Sequence, residues 1–432
     1  MMRATLSLVL VAALIGAAGP AHAFSFLDRA YGTPAAGFSA RSRAMGGAGA
    51  ALGNGAYSLV DNPAALALMP GTRVQLQGSL SRASENRFVP LFDTFDSFVD
   101  ETAIAVNDNG YGSVQGGFVL DRWGERGILV SVGIFNRYDP RYDYLDELRS
   151  SDVGDSLLNN KIITTEGVLR SVTAGVAVPI GEGSSFGAAV NYYFGTLTDR
   201  RALVQFPTSF YSTSTDTVLE RKLDGFSVTI GALAHVDERL DVGASVETAP
   251  KLHDDYTLWY DGVEVSPENS NADLTLPLRF QGGVAYRPRN TFETTFTADV
   301  VYRPWSDLTD KLPEDLLQSQ YGIPAVLHDT WQGRFGIEHV FYNNLPGRVG
   351  FRFGDSYGMT EAQTSAFTFG FGYLVDKVRL DVSGEVAKRV TRQTPLRSRG
   401  DLLQENFPVG TGKDRVEDTL VRVFLGVDYA FQ

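Results

Sequence analysis

From about residue 72 onward, apolar side chains recur at every second position. Ile128, Val130, Val132 and Ile134 alternate with Leu129, Ser131, Gly133 and Phe135. The same rhythm runs through Phe186, Ala188, Val190, Tyr192 and Phe194, and through Phe226, Val228, Ile230, Ala232, Ala234 and Val236. Leu274, Leu276, Leu278, Phe280, Val284 and Tyr286 read as one row, as do Phe296, Ala298, Val300 and Tyr302. Phe367, Phe369, Phe371 and Tyr373 form an almost wholly aromatic row, and Val421, Val423, Leu425, Val427, Tyr429 and Phe431 end the chain. A period of two predicts strands with two unlike faces. The segments are 72–82, 111–122, 127–138, 166–179, 184–198, 221–236, 239–248, 272–287, 291–303, 329–342, 347–354, 365–375, 377–390 and 416–431. Most exceed the roughly five or six residues of soluble strands and approach the roughly 9–11 that cross a bilayer.

The connections alternate in length. Long ones span 83–110, 139–165, 199–220, 249–271, 304–328 and 391–415, with 355–364 shorter. Tight ones fall at Trp123–Arg126, Gly181–Gly183, Asp237–Glu238, Pro288–Asn290, Asn343–Pro346 and Val375–Asp376. Short turns at one end and long loops at the other, on an even strand count, are the layout of an outer-membrane barrel. Closure satisfies every backbone group in lipid and leaves no edge. The expected fold is all-β, a fourteen-stranded antiparallel transmembrane barrel.

The second face of these strands is charged. It carries Glu247, Arg279, Asp299, Arg334, Glu338, Arg352, Arg379, Asp381, Glu385, Arg422 and Asp428, which suits a polar lumen where both signs pair. Tyr286, Tyr302, Tyr373, Tyr429 and Phe431 suit aromatic girdles. Over 432 residues the formal charge is −13, which disfavours nucleic acid as a partner. There is no cysteine, so disulfides, thiolate chemistry and Cys-ligated metals are excluded. The acids lack ligand spacing, so neither a metal nor a cofactor is expected.

The first residues break the pattern. Arg3, an apolar run from Leu6 to Ala18 and the small-x-small triplet Ala21-His22-Ala23 read as a signal peptide over 1–23, with the mature chain starting at Phe24. Residues 24–71 do not alternate and are rich in glycine, with Gly46, Gly47, Gly49, Gly53 and Gly55. A barrel of about fourteen strands has a lumen that its own wall side chains cannot fill. The economical place for 24–71 is inside it, as a hatch, leaving 72–432 as the barrel.

Ser39-Ala40-Arg41-Ser42-Arg43-Ala44-Met45-Gly46-Gly47-Ala48-Gly49, followed by Asp61-Asn62-Pro63-Ala64-Ala65-Leu66, resembles the N-terminal hatch of the FadL/TodX superfamily. Met45, Gly46, Gly47, Asn62, Pro63 and Ala64 carry the match. Leu276 to Tyr286 and Asp329 to Gln332 are similar to strands of that family. The resemblance implies a fourteen-stranded outer-membrane barrel, exported by a cleaved signal peptide. It implies transport of hydrophobic small molecules such as long-chain fatty acids or aromatic hydrocarbons. It also implies a lateral opening at a kink in the third strand, for which Gly133 and Asn136 are the candidates; the plainer reading is that Gly133 packs inside a strand. Phe88, Phe92 and Phe95, with Leu91 and Phe98, recur near a helical period and suggest a short amphipathic loop helix that captures ligand. Arg279, Arg334, Arg352 and Arg422 are candidate anchors for a ligand carboxylate, in competition with acids of the wall.

Two other classes compete. The histidines His235, His253, His328 and His339 sit in no nucleophile or metal motif, so an outer-membrane lipase is disfavoured and no enzyme activity is expected. The superfamily also includes PorV-like barrels that dock partners of secretion or conjugation systems. The acidic stretch from Asp143 to Asp155 suits such a partner or lipopolysaccharide and outer-membrane lipid.

Overall fold

The computed structural model describes residues 25–431 apart from 94, 96, 124–126, 150–155, 182, 207–212, 266–270, 290–292, 309–311, 313–316, 324, 325, 343 and 397–412. The expected signal peptide lies outside the described residues.

Fourteen strands close into one antiparallel barrel. They are β1 (Arg73–Phe92), β2 (Phe98–Trp123), β3 (Ile128–Asp139), β4 (Leu157–Glu166 and Leu169–Ile180), β5 (Ser184–Gln205), β6 (Thr215–Asp237) and β7 (Leu240–Glu247). β8 (Arg279–Tyr286), β9 (Glu293–Arg303), β10 (Thr330–Val340), β11 (Pro346–Ser356), β12 (Met359–Val375), β13 (Val378–Gln393) and β14 (Asp414–Ala430) complete it. β14 returns to β1 through a register from Arg73↔Ala430 to Phe88↔Arg415, which closes the ring. β3 continues past Pro140 as Tyr142–Arg149, and β7 continues as Lys251–Tyr260. At the turn end the chain reverses within a few residues. Asp376, between β12 and β13, takes a φ of 53°, the left-handed conformation that a tight hairpin needs.

The two faces separate as the period requires. Phe367, Phe369, Phe371 and Tyr373 of β12 all point outward, each about half exposed. Arg334, Glu338, Arg348, Arg352, Asp381 and Glu385 point inward and are buried. A surface of contiguous exposed aromatic and aliphatic side chains around a charged interior is built for lipid, not water.

Two expectations need correction. Much of 83–110, 139–165 and 199–220 is strand, not loop: β1 and β2 run 20 and 26 residues. Beyond the apolar band the strands become polar on both faces, so the alternation fades while the backbone ladder continues. For the same reason the amphipathic helix expected around Phe88–Phe98 is a hairpin, closed by Asp93 N–H donating to Ser97 O at 2.9 Å. The row from Leu274 to Tyr286 is also not one face. Leu274 and Leu276 are buried while Phe280, Val284 and Tyr286 are exposed. Pro277 interrupts the strand between Thr275 and Arg279, and the side chains change face across the break.

Residues 25–68 are nearly all buried, against inward-facing wall side chains. Their local structure follows from their sequence. Ser39 caps α1 (Ala40–Ala44) in a capping box, with Ser42 N–H donating to Ser39 Oγ at 2.9 Å. Asn62 and Pro63 start the 3₁₀ turn Pro63–Leu68. At the loop end an apolar core joins Leu27, Ala30 and Tyr31 to Trp305, Leu317, Tyr321 and Tyr357.

Candidate functional site

Wall side chains bind the backbone of the N-terminal segment. Asp299 accepts from Gly49 N–H and Ala50 N–H at 2.8 and 2.9 Å. Thr368 Oγ1 accepts from Gly46 N–H and donates to Ala44 O. Arg334 donates to Gly47 O at 2.9 Å, and Arg279 donates to Val60 O. Arg41 forks onto Glu338 at 2.9 and 2.5 Å. Gly46 has a φ of +69°, and a Cβ there would meet the carbonyl oxygens of Phe335 and Phe351 at 2.6 Å. Only glycine lets the segment lie this close to β10 and β11. Asn62 uses its whole amide: Nδ2 donates to Ala50 O at 2.7 Å and to Ala232 O of β6 at 3.0 Å, and Oδ1 accepts from Ala64 N–H. Of the residues that carried the sequence resemblance, Gly46, Gly47 and Asn62 meet the wall through these bonds, alongside Arg41, Gly49, Ala50 and Val60.

Above this layer the barrel encloses a cavity of about 110 Å³, comparable to the roughly 150 Å³ that holds a benzene ring. Arg43, Arg303, Arg352 and Arg422 line it, with Trp305, Tyr138, Tyr357 and Phe424 as its apolar surfaces. Glu385 is shared by Arg352 at 2.8 Å and Arg422 at 3.5 Å. Arg43, on α1, lies over the Phe424 ring at 4.8 Å. Among the described residues neither Arg43 nor Arg303 has an ion pair, and the Nε of each is buried without a partner. Burial, followed by the repulsion of Arg422, pulls the Arg43 guanidinium down to about 9, so it remains charged at neutral pH. The cavity therefore carries more cation than its walls neutralise. That arrangement attracts an anionic head while the aromatic rings hold apolar carbon.

The wall is open beside this cavity. β3 pairs with β2 only as far as Ile134↔Gly116. Beyond that point β3 turns inward, and Asp139 and Tyr138 pair instead with Thr33 and Pro34 of the N-terminal segment. Ala35 N–H extends this contact to Arg137 O at 3.0 Å. Pro140, which has no N–H, marks the break in β3. Side chains close the top of the gap: Asn109 Nδ2 donates to Asp143 O at 2.7 Å and Tyr111 OH to Asp143 Oδ2 at 2.5 Å. What remains is a window of about 720 Å³ bordered by Gly112, Ser113, Val114, Ile134, Arg141 and Val168. Ser113 lines both window and cavity. Asn136 stands between them, its Nδ2 donating to Val114 O at 3.3 Å in place of a backbone bond.

The structure distributes the residues singled out from sequence. Asn136 lies at the window. Gly133 does not: it is paired with Gly117 on one side and Thr173 on the other, and its missing Cβ leaves room for the Phe135 ring. Arg352 and Arg422 line the cavity, whereas Arg279 and Arg334 bind the N-terminal segment. Phe88 lies under the Arg415 guanidinium, Phe92 meets Phe98 edge-on, and Phe95 stands 87% exposed at the hairpin tip. None of the three lines the cavity or the window. Arg43, Arg303 and Ser113 were not read as site residues. The sequence holds no signal that separates Arg43 from Arg41, two residues before it.

No family profile and no curated protein matches the chain. Solved structures do. A Pseudomonas aeruginosa FadL homologue aligns at 14% identity over 93% of this chain and 100% of its own, with a TM-score of 0.63. The Pseudomonas putida toluene transporter TodX aligns at 14% identity over 92% and 99%, TM-score 0.62. The Ralstonia pickettii toluene transporter TbuX aligns at 17% identity over 92% and 99%, TM-score 0.59. With its closed fourteen-strand ring, the chain has the fold shared by the FadL homologue, TodX and TbuX.

Proposed function

We propose that this protein is an outer-membrane channel of the FadL/TodX kind that moves hydrophobic compounds, chiefly those with an acidic head such as long-chain fatty acids, out of the barrel sideways. The observation that carries this reading is the unpaired stretch between β2 and β3, next to a cavity with unneutralised guanidinium. An apolar solute passing through the window reaches lipid without crossing the aqueous periplasm. The N-terminal segment acts as the hatch that blocks the straight path through the lumen, and the tight turns face the periplasm. The cationic cavity favours an acidic head over a neutral aromatic hydrocarbon, because burying extra guanidinium charge beside an uncharged ligand leaves the charge uncompensated.

Uptake of labelled oleate by cells with and without the protein tests the reading, with Ser113→Trp alongside. Deletion abolishes protein-dependent uptake, and Ser113→Trp lowers it more than tenfold while the barrel still shifts on unheated gels. Unchanged oleate uptake in the deletion, with loss of toluene uptake, reassigns the ligand to neutral aromatics. Unchanged uptake of both moves the function to docking of a secretion or conjugation partner.

A further inference from the structure

Arg170 of β4 stands on the outer rim of the window. It lies between Asn136 of β3 and Phe194 of β5 in the ladder, and its Nε donates to Asn136 Oδ1 at 3.2 Å. Asn136 also lines the cavity, so one side chain links the cavity to the rim. Among the described residues Arg170 has no ion pair, and its Nη1 and Nη2 make no hydrogen bond. The acids nearby are engaged elsewhere. Asp139, which acts on Arg170 from a distance, is forked by Arg141 at 2.9 and 3.0 Å, and Asp143 accepts from Tyr111 OH. Glu166, exposed on the same rim, forms no ion pair with Arg170.

The outward rows around Arg170 set its depth. Toward the turns that face is apolar, with Val172 and Val176 on β4 and Val228 and Ile230 on β6. Toward the loops it is charged: Arg200 pairs with Asp216 at 2.8 Å, and Asp224 and Lys222 lie loopward of Phe226. Phe194, across from Arg170, has Asp224 on its other side, and Tyr192, two residues below, packs on Phe226 at 4.9 Å. Arg170 therefore occupies the boundary between the apolar band and the polar rim, which is the depth of lipid head groups.

We infer that Arg170 is the exit-side receptor for the carboxylate of a departing amphipathic ligand, an inference that rests on the lateral-channel reading above. A carboxylate leaving Arg43 and Arg303 would otherwise meet Val114, Ile134 and Val168 at the window with no counter-charge, which is costly. The open Nη groups of Arg170 present a planar fork that takes a carboxylate through two parallel bonds. Asn136 holds that fork at the window through Nε. The head stays at the level of the lipid head groups while the tail slides between the acyl chains. The ligand thus enters the outer leaflet already oriented as a lipid.

The test uses a fatty acid with a photoreactive diazirine beside its carboxyl group and the purified protein in phosphatidylcholine nanodiscs free of lipopolysaccharide. After illumination, mass spectrometry reads adducts at two places, the cavity around Phe424 and the wall beside Arg170. The native protein carries both, and the methyl ester of the probe labels the wall beside Arg170 about tenfold less. Arg170→Gln lowers that rim adduct about tenfold and leaves the cavity adduct in place, and Arg170→Lys, which keeps a charge, restores most of it. A cavity adduct without a rim adduct overturns this inference and leaves the channel reading standing. So does a rim adduct that is unchanged in Arg170→Gln or equally strong with the ester. A fall in Arg170→Gln that appears only after lipopolysaccharide is added assigns Arg170 to lipopolysaccharide phosphate and overturns it as well. Absence of adducts at both places overturns the channel reading and this inference with it. Gel mobility without heating reports whether each variant has folded.

Discussion

The barrel has a sealed side and an open side, and they differ in what each strand edge has to pair with. β10 and β11 match without interruption from Val340↔Pro346 to Gln332↔Gly354, and β12 follows in step from Gly347↔Phe371 to Asp355↔Gln363. Each strand there has one neighbour on each side. β3 has three candidates for two edges. β4 holds one edge throughout, and β2 holds the other up to Ile134. Thr33 and Pro34 take it over at Tyr138 and Asp139. The wall therefore opens because a second partner competes for the edge of β3, and not because its sequence lacks strand-forming residues. Pro140 helps by removing a donor, but the inner partner decides where the strand goes.

The two sides are also held together differently. The sealed side adds to its backbone ladder several separate ion pairs between wall strands, Arg348 with Glu338 and Asp381 at 2.6 Å and Arg352 with Glu385 at 2.8 Å. The open side rests on buried polar contacts, above all Glu247, which takes Arg137 of β3 at 2.6 and 2.7 Å, Tyr193 OH at 2.6 Å and Ser227 Oγ at 2.8 Å. The contrast is broken first by removing that carboxylate. Glu247→Ala leaves Arg137 buried without its partner, and a loss of about 3–5 kcal/mol in urea unfolding is expected. A loss below about 1 kcal/mol would show that the inward bend of β3 does not depend on it.

On the sealed side the sensitive position is the lipid face. Phe369→Arg is expected to cost about 2–4 kcal/mol in the same measurement, whereas Phe369→Leu, which keeps the lipid face apolar, costs much less. Between the two sides stands Asn62, which ties the N-terminal segment to β6. Asn62→Ala leaves two carbonyls short of a donor and is expected to cost about 1–3 kcal/mol, with faster proteolysis of the segment. Ala35→Pro is the finest test. It deletes the N–H that binds Arg137 O and is expected to cost about 1 kcal/mol. Its specific effect is on the window: β3 is freed to re-pair with β2, so oleate uptake falls although the barrel remains folded. Uptake that stays at the native level would separate the bend of β3 from transport.

Much of the wall is legible in the sequence, and the reason is geometric. A strand in a barrel has one face on lipid and one on the lumen, so every second residue reports its environment. The rows through Phe367 to Tyr373 and Val421 to Tyr429 could be placed outward, and Glu247, Arg334 and Glu385 inward, before any coordinates. Where the outward face is polar as well, as in the upper parts of β1 and β2, that report disappears and strands were read as loops. Where Pro277 shifts the register, the row from Leu274 to Tyr286 was read as one face although it is two.

The site was less legible. Glycines and Asn62 marked the segment that must lie close to other backbone, because a φ of +69° at Gly46 and a fully used amide at Asn62 are demands on residue type. Asn136 could be placed near a break because Pro140 follows it. The cationic cavity could not be read, since whether an arginine is neutralised depends on which acids lie across the lumen. Arg334 and Arg352 look alike in sequence, inward arginines at matching positions of two adjacent strands, yet one binds Gly47 O and the other lines the cavity. Sequence by itself determined the barrel, its two faces and the segment that departs from them, because each is a local periodicity or a local conformational demand. Tertiary structure alone decided which edge β3 gives up, which charges remain unpaired and where the wall opens, because each is a competition among groups that are distant along the chain.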